Sequence, residues 1–285
     1  MIRAGLLTSS ICLSSGRSIL SKKLNNKEGN NFTFFLLQTL LFLICLLVVV
    51  LSNLKSFYTI SLLTLIYGII YGLLLVSAQW LYTIALKSGP ASTCSMIYSF
   101  GFIIPTICSF IFWNEQINLL KILGISLAIT VILLISLSKE SKKKNNKFII
   151  PLLLSTLSSG GLGVLQKIQQ KSSIATEKGG FLFIAFCIAF MFSLIFTLIN
   201  AKRKSKVNTN QILFSILCGL CFGLANIVNT TLAGLVPGSI LFPIQNIGVI
   251  LLVSLLGIII FKEKPSKNEI LAFFLGFFSI ILLSL

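Results

Sequence analysis

Long apolar runs alternate with short polar segments from one end of the chain to the other. Ten of the runs are close to the roughly 20 residues that one helix needs to cross a lipid bilayer. Loops rich in Lys, Asn, Gly and Pro separate them, and such residues end helices and form turns. The pattern predicts ten transmembrane helices over 3–21, 32–53, 60–86, 91–113, 119–138, 148–168, 180–200, 210–234, 238–261 and 268–285.

The second half of the chain repeats landmarks of the first half in the same order. The motif Ser-Ser-Gly, six further residues and then Lys occurs at 14–23 and again at 158–167. The later matches are Gly68-xxx-Gly72 with Gly219-xxx-Gly223, Pro90 with Pro237, and Trp113-Asn114-Glu115 with Phe261-Lys262-Glu263. We therefore predict a first five-helix repeat over 1–138, a basic linker over 139–147 and a second five-helix repeat over 148–285.

A unit of five helices has consequences for how two copies sit in a membrane. Because five is odd, the second copy must enter the bilayer from the side opposite to the first. The predicted fold class is therefore an all-α polytopic membrane protein whose ten helices form a 5+5 inverted repeat. Such repeats let a protein open alternately to either side around a midplane site, so the duplication indicates transport.

Composition agrees with a membrane protein. The chain is 56% hydrophobic and 10% charged, with a mean hydropathy of +1.02, and residues 207–261 contain no charge. The net charge of +17 is concentrated in the loops, where Lys and Arg interact with anionic headgroups. No basic stripe with interleaved aromatic residues lies in a polar segment, so we expect the lipid bilayer and not nucleic acid as a partner.

Residues that carry catalysis or bind metals are scarce. The chain has no His, and its six acidic residues are all Glu in or beside loops. Cys218-xx-Cys221 has the spacing of a metal-ligand pair but lacks a second pair, so buried cysteines acting as small apolar residues are favoured. We expect no metal, no cofactor, no catalytic residues and no enzymatic activity.

Polar side chains within the apolar runs are the candidates for substrate binding. Small residues at four-residue spacing favour close helix packing. Amides in a membrane either link helices or line a polar cavity, and both readings stay open. Together with one tyrosine, the candidates are Gln79, Tyr98, Gln166, Asn226, Asn229, Gln245 and Asn246.

Arg17 is the one arginine inside an apolar run away from the first turn. Its long side chain can extend to the membrane interface, or it can be a fixed positive charge for a carboxylate or phosphate. We include it among the candidate substrate-binding residues. Lys23 and Lys167 lie at predicted helix ends, where anchoring at the interface is the favoured interpretation.

The chain resembles the drug/metabolite transporter superfamily, specifically its ten-helix EamA-type members. The resemblance rests on the blocks Phe112-Trp113-Asn114-Glu115-Gln116-Ile117 and Ile260-Phe261-Lys262-Glu263-Lys264-Pro265, each between a long apolar helix and the last helix of a repeat. It implies a secondary transporter with a central cavity lined by helices 1, 3, 4, 6, 8 and 9. The first helix lacks the functional Glu of the small multidrug resistance relatives.

The orientation in the membrane stays open. Sixteen basic residues follow odd-numbered helices and six lie on the other side, which predicts both termini outside. The EamA-type resemblance implies cytoplasmic termini instead.

We expect a transporter in the plasma or inner membrane that moves small polar metabolites, amino-acid-like or other small organic solutes, by alternating access. A drug efflux carrier is one alternative. A membrane scaffold that binds a protein or lipid is the other. Monomer and dimer are both compatible with the sequence.

Overall fold

The computed structural model describes residues 2–25, 31–52, 60–88, 97–116, 118–137, 148–201, 207–261 and 267–284. Within these ranges the fold is all-helical, and the ten predicted helices are confirmed. Their bounds are α1 Ile2–Asn25, α2 Asn31–Ser52, α3 Leu62–Ser88, α4 Ile97–Trp113, α5 Leu119–Leu137, α6 Ile149–Lys171, α7 Lys178–Ile199, α8 Thr209–Leu235, α9 Gly238–Phe261 and α10 Lys267–Ser284. The predicted linker and the predicted start of the fourth helix lie outside the described residues.

Hydropathy explains why these helices form in lipid. Six described segments are long and apolar enough to cross a membrane. They are Asn31–Ser52, Leu62–Ala85, Ile149–Lys171, Ala175–Ile199, Thr209–Leu235 and Gly238–Leu256. In a bilayer, a helix satisfies its own backbone hydrogen bonds, which an irregular chain cannot do. The chain is therefore a multi-pass membrane protein.

The helices form two compact units that do not coincide with the two halves of the sequence. Unit 1 comprises Met1–Val76 and Ile168–Gly234, and thus α1, α2, the first part of α3, α7 and α8. Unit 2 comprises Ser77–Lys167 and Leu235–Leu285, and thus the rest of α3, α4, α5, most of α6, α9 and α10. Each unit combines helices from both predicted repeats. The repeat boundaries themselves remain a prediction.

In unit 1, α3 packs closely along α7 through two glycines. A Cβ atom at Gly68 would lie 2.8 Å from the Cβ of Ile184, and one at Gly72 would lie 2.6 Å from the carbonyl oxygen of Ala185. Both glycines are therefore needed for the close approach. Because the contacts advance in the same direction along both helices, α3 and α7 run parallel.

The same motif recurs where α8 packs against α2. A Cβ atom at Gly219 would lie 2.7 Å from the carbonyl oxygen of Leu41, and one at Gly223 would lie 3.1 Å from the Cα of Cys45. The interpretation of the four-residue glycine spacing as helix packing is confirmed at both places. These two helices also run parallel.

Equivalent helices of the two repeats run in opposite directions. In unit 1 the first half of α2 lies beside the end of α7, where the hydroxyls of Thr39 and Thr197 are 3.0 Å apart. In unit 2, Ser99 near the start of α4 bonds to Asn246 within α9, while Ser109 further along α4 contacts Gly238 at the start of α9. The second helices of the two repeats, α2 and α7, are therefore antiparallel, and so are the fourth helices, α4 and α9. An inverted repeat requires this arrangement.

Candidate functional site

Polar side chains meet on the seam between α1 and α8 of unit 1. The guanidinium carbon of Arg17 lies 3.6 Å from the centroid of the Phe222 ring. Further along the seam, the Ser10 hydroxyl donates to the Oδ1 of Asn229. Seven residues separate the two contacts on each helix, which at 1.5 Å per residue is about 10 Å along the seam.

Helix α3 adds a third contact between these two. The Tyr71 hydroxyl donates to the Oδ1 of Asn226 at 2.7 Å, and the Nδ2 of Asn226 donates to the carbonyl oxygen of Phe222 at 2.9 Å. Tyr71 and Asn226 are both buried. The carbonyl oxygen of Phe222 can only accept a hydrogen bond, so the amide atom beside it must be the nitrogen of Asn226. The oxygen of Asn226 is therefore the atom that faces Tyr71.

Aromatic rings surround this part of unit 1. The ring centroids of Tyr71 and Phe181 are 4.9 Å apart, and those of Phe186 and Phe222 are 6.0 Å apart. Aromatic faces attract cations, and the attraction is stronger where water is excluded. We call Ser10, Arg17, Tyr71, Asn226 and Asn229 the unit 1 cluster.

The other five candidates lie in unit 2. The ring of Tyr98 packs against that of Tyr82, with centroids 4.5 Å apart. Gln166 is buried on α6, whereas Gln79 on α3 and Gln245 on α9 are half-buried. The eight candidates are therefore divided between the two units, with three in unit 1 and five in unit 2.

Asn246 of unit 2 bonds to a break in α4. Residues Phe100–Phe102 form a 3₁₀ turn, in which the N–H of Ile103 bonds to the carbonyl of Phe100. In a regular α-helix the N–H of Ile103 would instead donate to the carbonyl oxygen of Ser99. The Nδ2 of Asn246 instead donates to the Ser99 carbonyl oxygen at 3.0 Å. This amide therefore links two helices, one of the two readings that the sequence left open.

A second polar group in unit 2 joins the ends of α4 and α6 to the start of α9. The Glu115 carboxylate accepts from the backbone N–H groups of Gly238 at 2.8 Å and Ser239 at 2.9 Å, and pairs with the Nζ of Lys167 at 3.0 Å. Lys167 also donates to the Val236 carbonyl oxygen at 2.9 Å. The first N–H groups of a helix have no partner within it, so a carboxylate there is favourable. We call this group the Glu115 clasp.

The turn that follows α4 brings Glu115 into the clasp. Asn114 caps the helix in the left-handed region with φ 48°, which Asn tolerates better than most residues. Burial alone would raise the pKa of the Glu115 carboxyl, but hydrogen bonds from Ser239, Gly238 and Lys167 outweigh it and lower the pKa below its ordinary value. Glu115 is therefore ionised at neutral pH.

Comparison with known families decides which class of protein this is. The model of the EamA-like transporter family matches residues 4–137 and again 146–285. The chain belongs to the EamA-like transporter family. Membership makes it a membrane transporter of the drug/metabolite type.

Two further comparisons concern this EamA-like transporter. No curated protein has a significantly similar sequence. The crystal structure of a protein with 15% sequence identity has a TM-score of 0.78, covering 98% of this chain and 95% of the other. At that identity the similarity shows the fold alone.

The structure corrects one sequence interpretation in this EamA-like transporter. Lys167 was expected to anchor at the membrane interface, but only 1% of its side chain is exposed and it pairs with Glu115. The anchoring interpretation is wrong for Lys167. A signal was present, because its Ser-Ser-Gly…Lys motif and the block containing Glu115 are both landmarks of the repeat.

The structure also adds two residues to the candidate site that the sequence pattern does not indicate. Ser10 and Tyr71 bond to two of the candidate amides, yet a hydroxyl in an apolar helix gives no distinctive signal. Arg17 was the residue with two open readings, and its guanidinium lies over a ring of α8 inside unit 1. No group of three potential metal ligands occurs among the described residues, and Cys218 and Cys221 are free thiols.

Proposed function

We propose that this EamA-like transporter is a secondary carrier that moves small polar metabolites, amino-acid-like or other small organic solutes, across a plasma or inner membrane by alternating access. The observation that carries the proposal is the unit 1 cluster. It places one guanidinium and two amides along about 10 Å of a helix seam.

The chemistry of the cluster supports a solute with a carboxylate or a similar acceptor group. Arginine presents five N–H donors in a fixed planar arrangement that matches a carboxylate. In this structure the Arg17 guanidinium stacks on an aromatic ring within the unit. Asn226 and Asn229, on the same face of α8, can bind the polar atoms at the other end of a small solute.

The architecture supports alternating access. Antiparallel pairing of equivalent helices is the arrangement in which one conformation can be converted into its mirror state on the other side of the membrane. The five candidates in unit 2, Gln79, Tyr98, Gln166, Gln245 and Asn246, stay in the proposal as a second group of solute-contacting residues. The proposed partners are the solute and the lipid bilayer.

The Glu115 clasp bears on the alternative of a proton-driven drug efflux carrier. Such carriers exchange protons through a carboxyl that titrates near neutral pH. The Glu115 pKa is lowered by its donors, so this carboxyl stays ionised at neutral pH and is not suited to that exchange. The Glu115 carboxyl therefore gives no support to the drug efflux alternative.

Uptake into liposomes that contain the purified protein tests the proposal. Radiolabelled amino acids, sugars and nucleosides are screened for protein-dependent uptake. For a transported solute, we expect Arg17→Leu and Asn226→Leu each to raise the KM at least about tenfold, since each removes a polar contact of the cluster. Arg3→Leu, the same change at an exposed position of α1, is the matched control.

Two outcomes would contradict the proposal in different ways. If no solute class is taken up faster than by empty liposomes, the carrier function is wrong. If a solute is transported and both cluster variants behave like Arg3→Leu, the carrier stands but its site lies elsewhere.

A further inference from the structure

Two hydroxyl groups of the unit 1 cluster donate to its asparagine side chains. This inference rests on the proposed function, because it names the substrate class of the same site. It concerns Ser10 and Tyr71, two buried hydroxyl residues whose partners are the candidate amides.

An asparagine side chain is ambivalent, since its oxygen accepts hydrogen bonds and its nitrogen donates them. A free asparagine can therefore bind an anion or a cation. In Asn226 the nitrogen already donates to the Phe222 carbonyl, so the oxygen must be the atom that faces Tyr71. The Tyr71 hydroxyl occupies one of the two lone pairs of that oxygen, and the nitrogen of Asn226 keeps a second hydrogen to donate.

Asn229, also on α8, is arranged in the same sense by a hydroxyl from a different helix. Its oxygen accepts from the hydroxyl of Ser10, which is fully buried on α1. Asn229 itself is half-buried, and within the described residues its hydrogen bonding is through this oxygen. The amide nitrogen is therefore the atom with hydrogens left to donate.

Arg17 completes the pattern because a guanidinium has donors and no acceptor. We propose that Ser10 and Tyr71 engage the amide oxygens of the cluster, so that Arg17, Asn226 and Asn229 offer a solute mainly hydrogen-bond donors and the site prefers the carboxylate form of a solute. A carboxylate accepts hydrogen bonds and carries the charge opposite to that of the guanidinium. An ammonium binds less well, because it would meet the like charge of Arg17 and amide oxygens that already accept from the two hydroxyls.

Three probes of nearly the same shape test the proposal, namely butyrate, butyramide and butylammonium, which are an anion, a neutral amide and a cation. Binding to the purified protein in detergent is measured by isothermal titration calorimetry. For the unsubstituted protein we expect butyrate to bind at least about tenfold more tightly than butyramide, with butylammonium the weakest.

Two substitutions address the hydroxyls directly. Tyr71→Phe exposes the oxygen of Asn226 as an acceptor, and Ser10→Ala does the same for Asn229. Each should lower the preference for butyrate over butylammonium about tenfold, the effect of one hydrogen bond. Tyr67→Phe is the matched control, because Tyr67 lies one turn earlier on α3 and makes no hydrogen bond to the described residues.

Several results would overturn the proposal. It fails if the unsubstituted protein does not bind butyrate, or binds the three probes equally. It also fails if the preference is unchanged in both hydroxyl variants. Because each result is a ratio of affinities on one protein sample, a partial loss of folded protein in either variant does not change the ratio.

The binding experiment is independent of the uptake experiment. If the anion preference depends on Ser10 and Tyr71 but no solute is taken up, the carrier function is wrong and the proposed role of the two hydroxyls is supported. If a solute is taken up but the preference is unchanged in the variants, the carrier function is supported and the role of the hydroxyls is wrong.

Discussion

Removing the charge of Lys167 should lower the free energy of unfolding strongly, because this lysine is buried in an ion pair. In the Glu115 clasp the Nζ of Lys167 lies 3.0 Å from the carboxylate and 2.9 Å from the Val236 carbonyl oxygen, and the exposed fractions of the two charged side chains are 1% and 12%. Breaking a buried ion pair by removing one partner costs about 3–5 kcal/mol, because the other charge stays buried. An exposed pair would contribute only about 0–1 kcal/mol.

The two single substitutions should differ in a defined direction. In Lys167→Met the Glu115 carboxylate keeps the two N–H groups of α9 and some exposure to water, so we expect a loss near the lower end, about 3 kcal/mol. In Glu115→Gln the deeply buried ammonium loses its countercharge and α9 loses its anionic cap, so we expect about 5 kcal/mol.

The double variant separates a buried pair from two independent effects. With both charges removed, the desolvation cost of each disappears, so the combined loss should be well below the sum of the single losses. The free energy of unfolding is measured by reversible denaturation in mixed micelles of a mild and a denaturing detergent. Lys121→Met is the control, because Lys121 is only half-buried and its ammonium donates to the Gln116 carbonyl oxygen in an exposed hydrogen bond.

A buried and coupled ion pair is refuted if Lys167→Met and Lys121→Met have the same effect, or if both clasp variants lose less than about 1 kcal/mol. Strict additivity in the double variant would also refute it. In that case the two side chains would contribute to stability separately rather than as a pair.

Three further predictions follow from other contacts. The folded-state pKa of Glu115 is lowered, so its contribution to the free energy of unfolding is complete above the unfolded pKa of about 4.3 and is lost as the pH falls through and below that value. In a pH series, the stability difference between the native protein and Glu115→Gln should therefore shrink in that range. Gly72→Ala should cost about 1–3 kcal/mol in the same denaturation assay, because the new Cβ meets the Ala185 carbonyl oxygen, whereas Gly5→Ala, where nothing lies within 4 Å, should not destabilise. Asn246→Leu leaves the Ser99 carbonyl without its amide donor and should speed hydrogen exchange in the 3₁₀ turn of α4, a region that stays unchanged if the contact does not form.

The sequence was sufficient for the helices because their signal is local. A run of about 20 apolar residues must be helical in a bilayer, and polar segments mark its ends. The glycine motifs were also readable, since Gly at four-residue spacing lies on one helix face whatever the partner is. The partners themselves, such as α7 for Gly72, required the structure.

The sequence was not sufficient for the polar contacts because these depend on helices far apart in the chain. Ser10 and Asn229 are 219 residues apart, and Tyr71 and Asn226 are 155 apart. Lys167 illustrates the limit most clearly. A lysine near a helix end is exposed or buried according to which other helices end beside it, and here those helices bring Glu115 to it.

Labelling of one position in the unit 1 cluster tests the central claim, that the cluster is reached from each side of the membrane in turn. Asn229→Cys is introduced into a variant whose seven native cysteines are replaced. A membrane-impermeant maleimide is then applied to sealed vesicles of each orientation, with Asn208→Cys at an exposed loop position as the one-sided control.

We predict that the maleimide labels the Asn229→Cys variant from both faces, and that a transported solute slows labelling from both. Labelling from one face only, with no effect of solute, would contradict alternating access to this site.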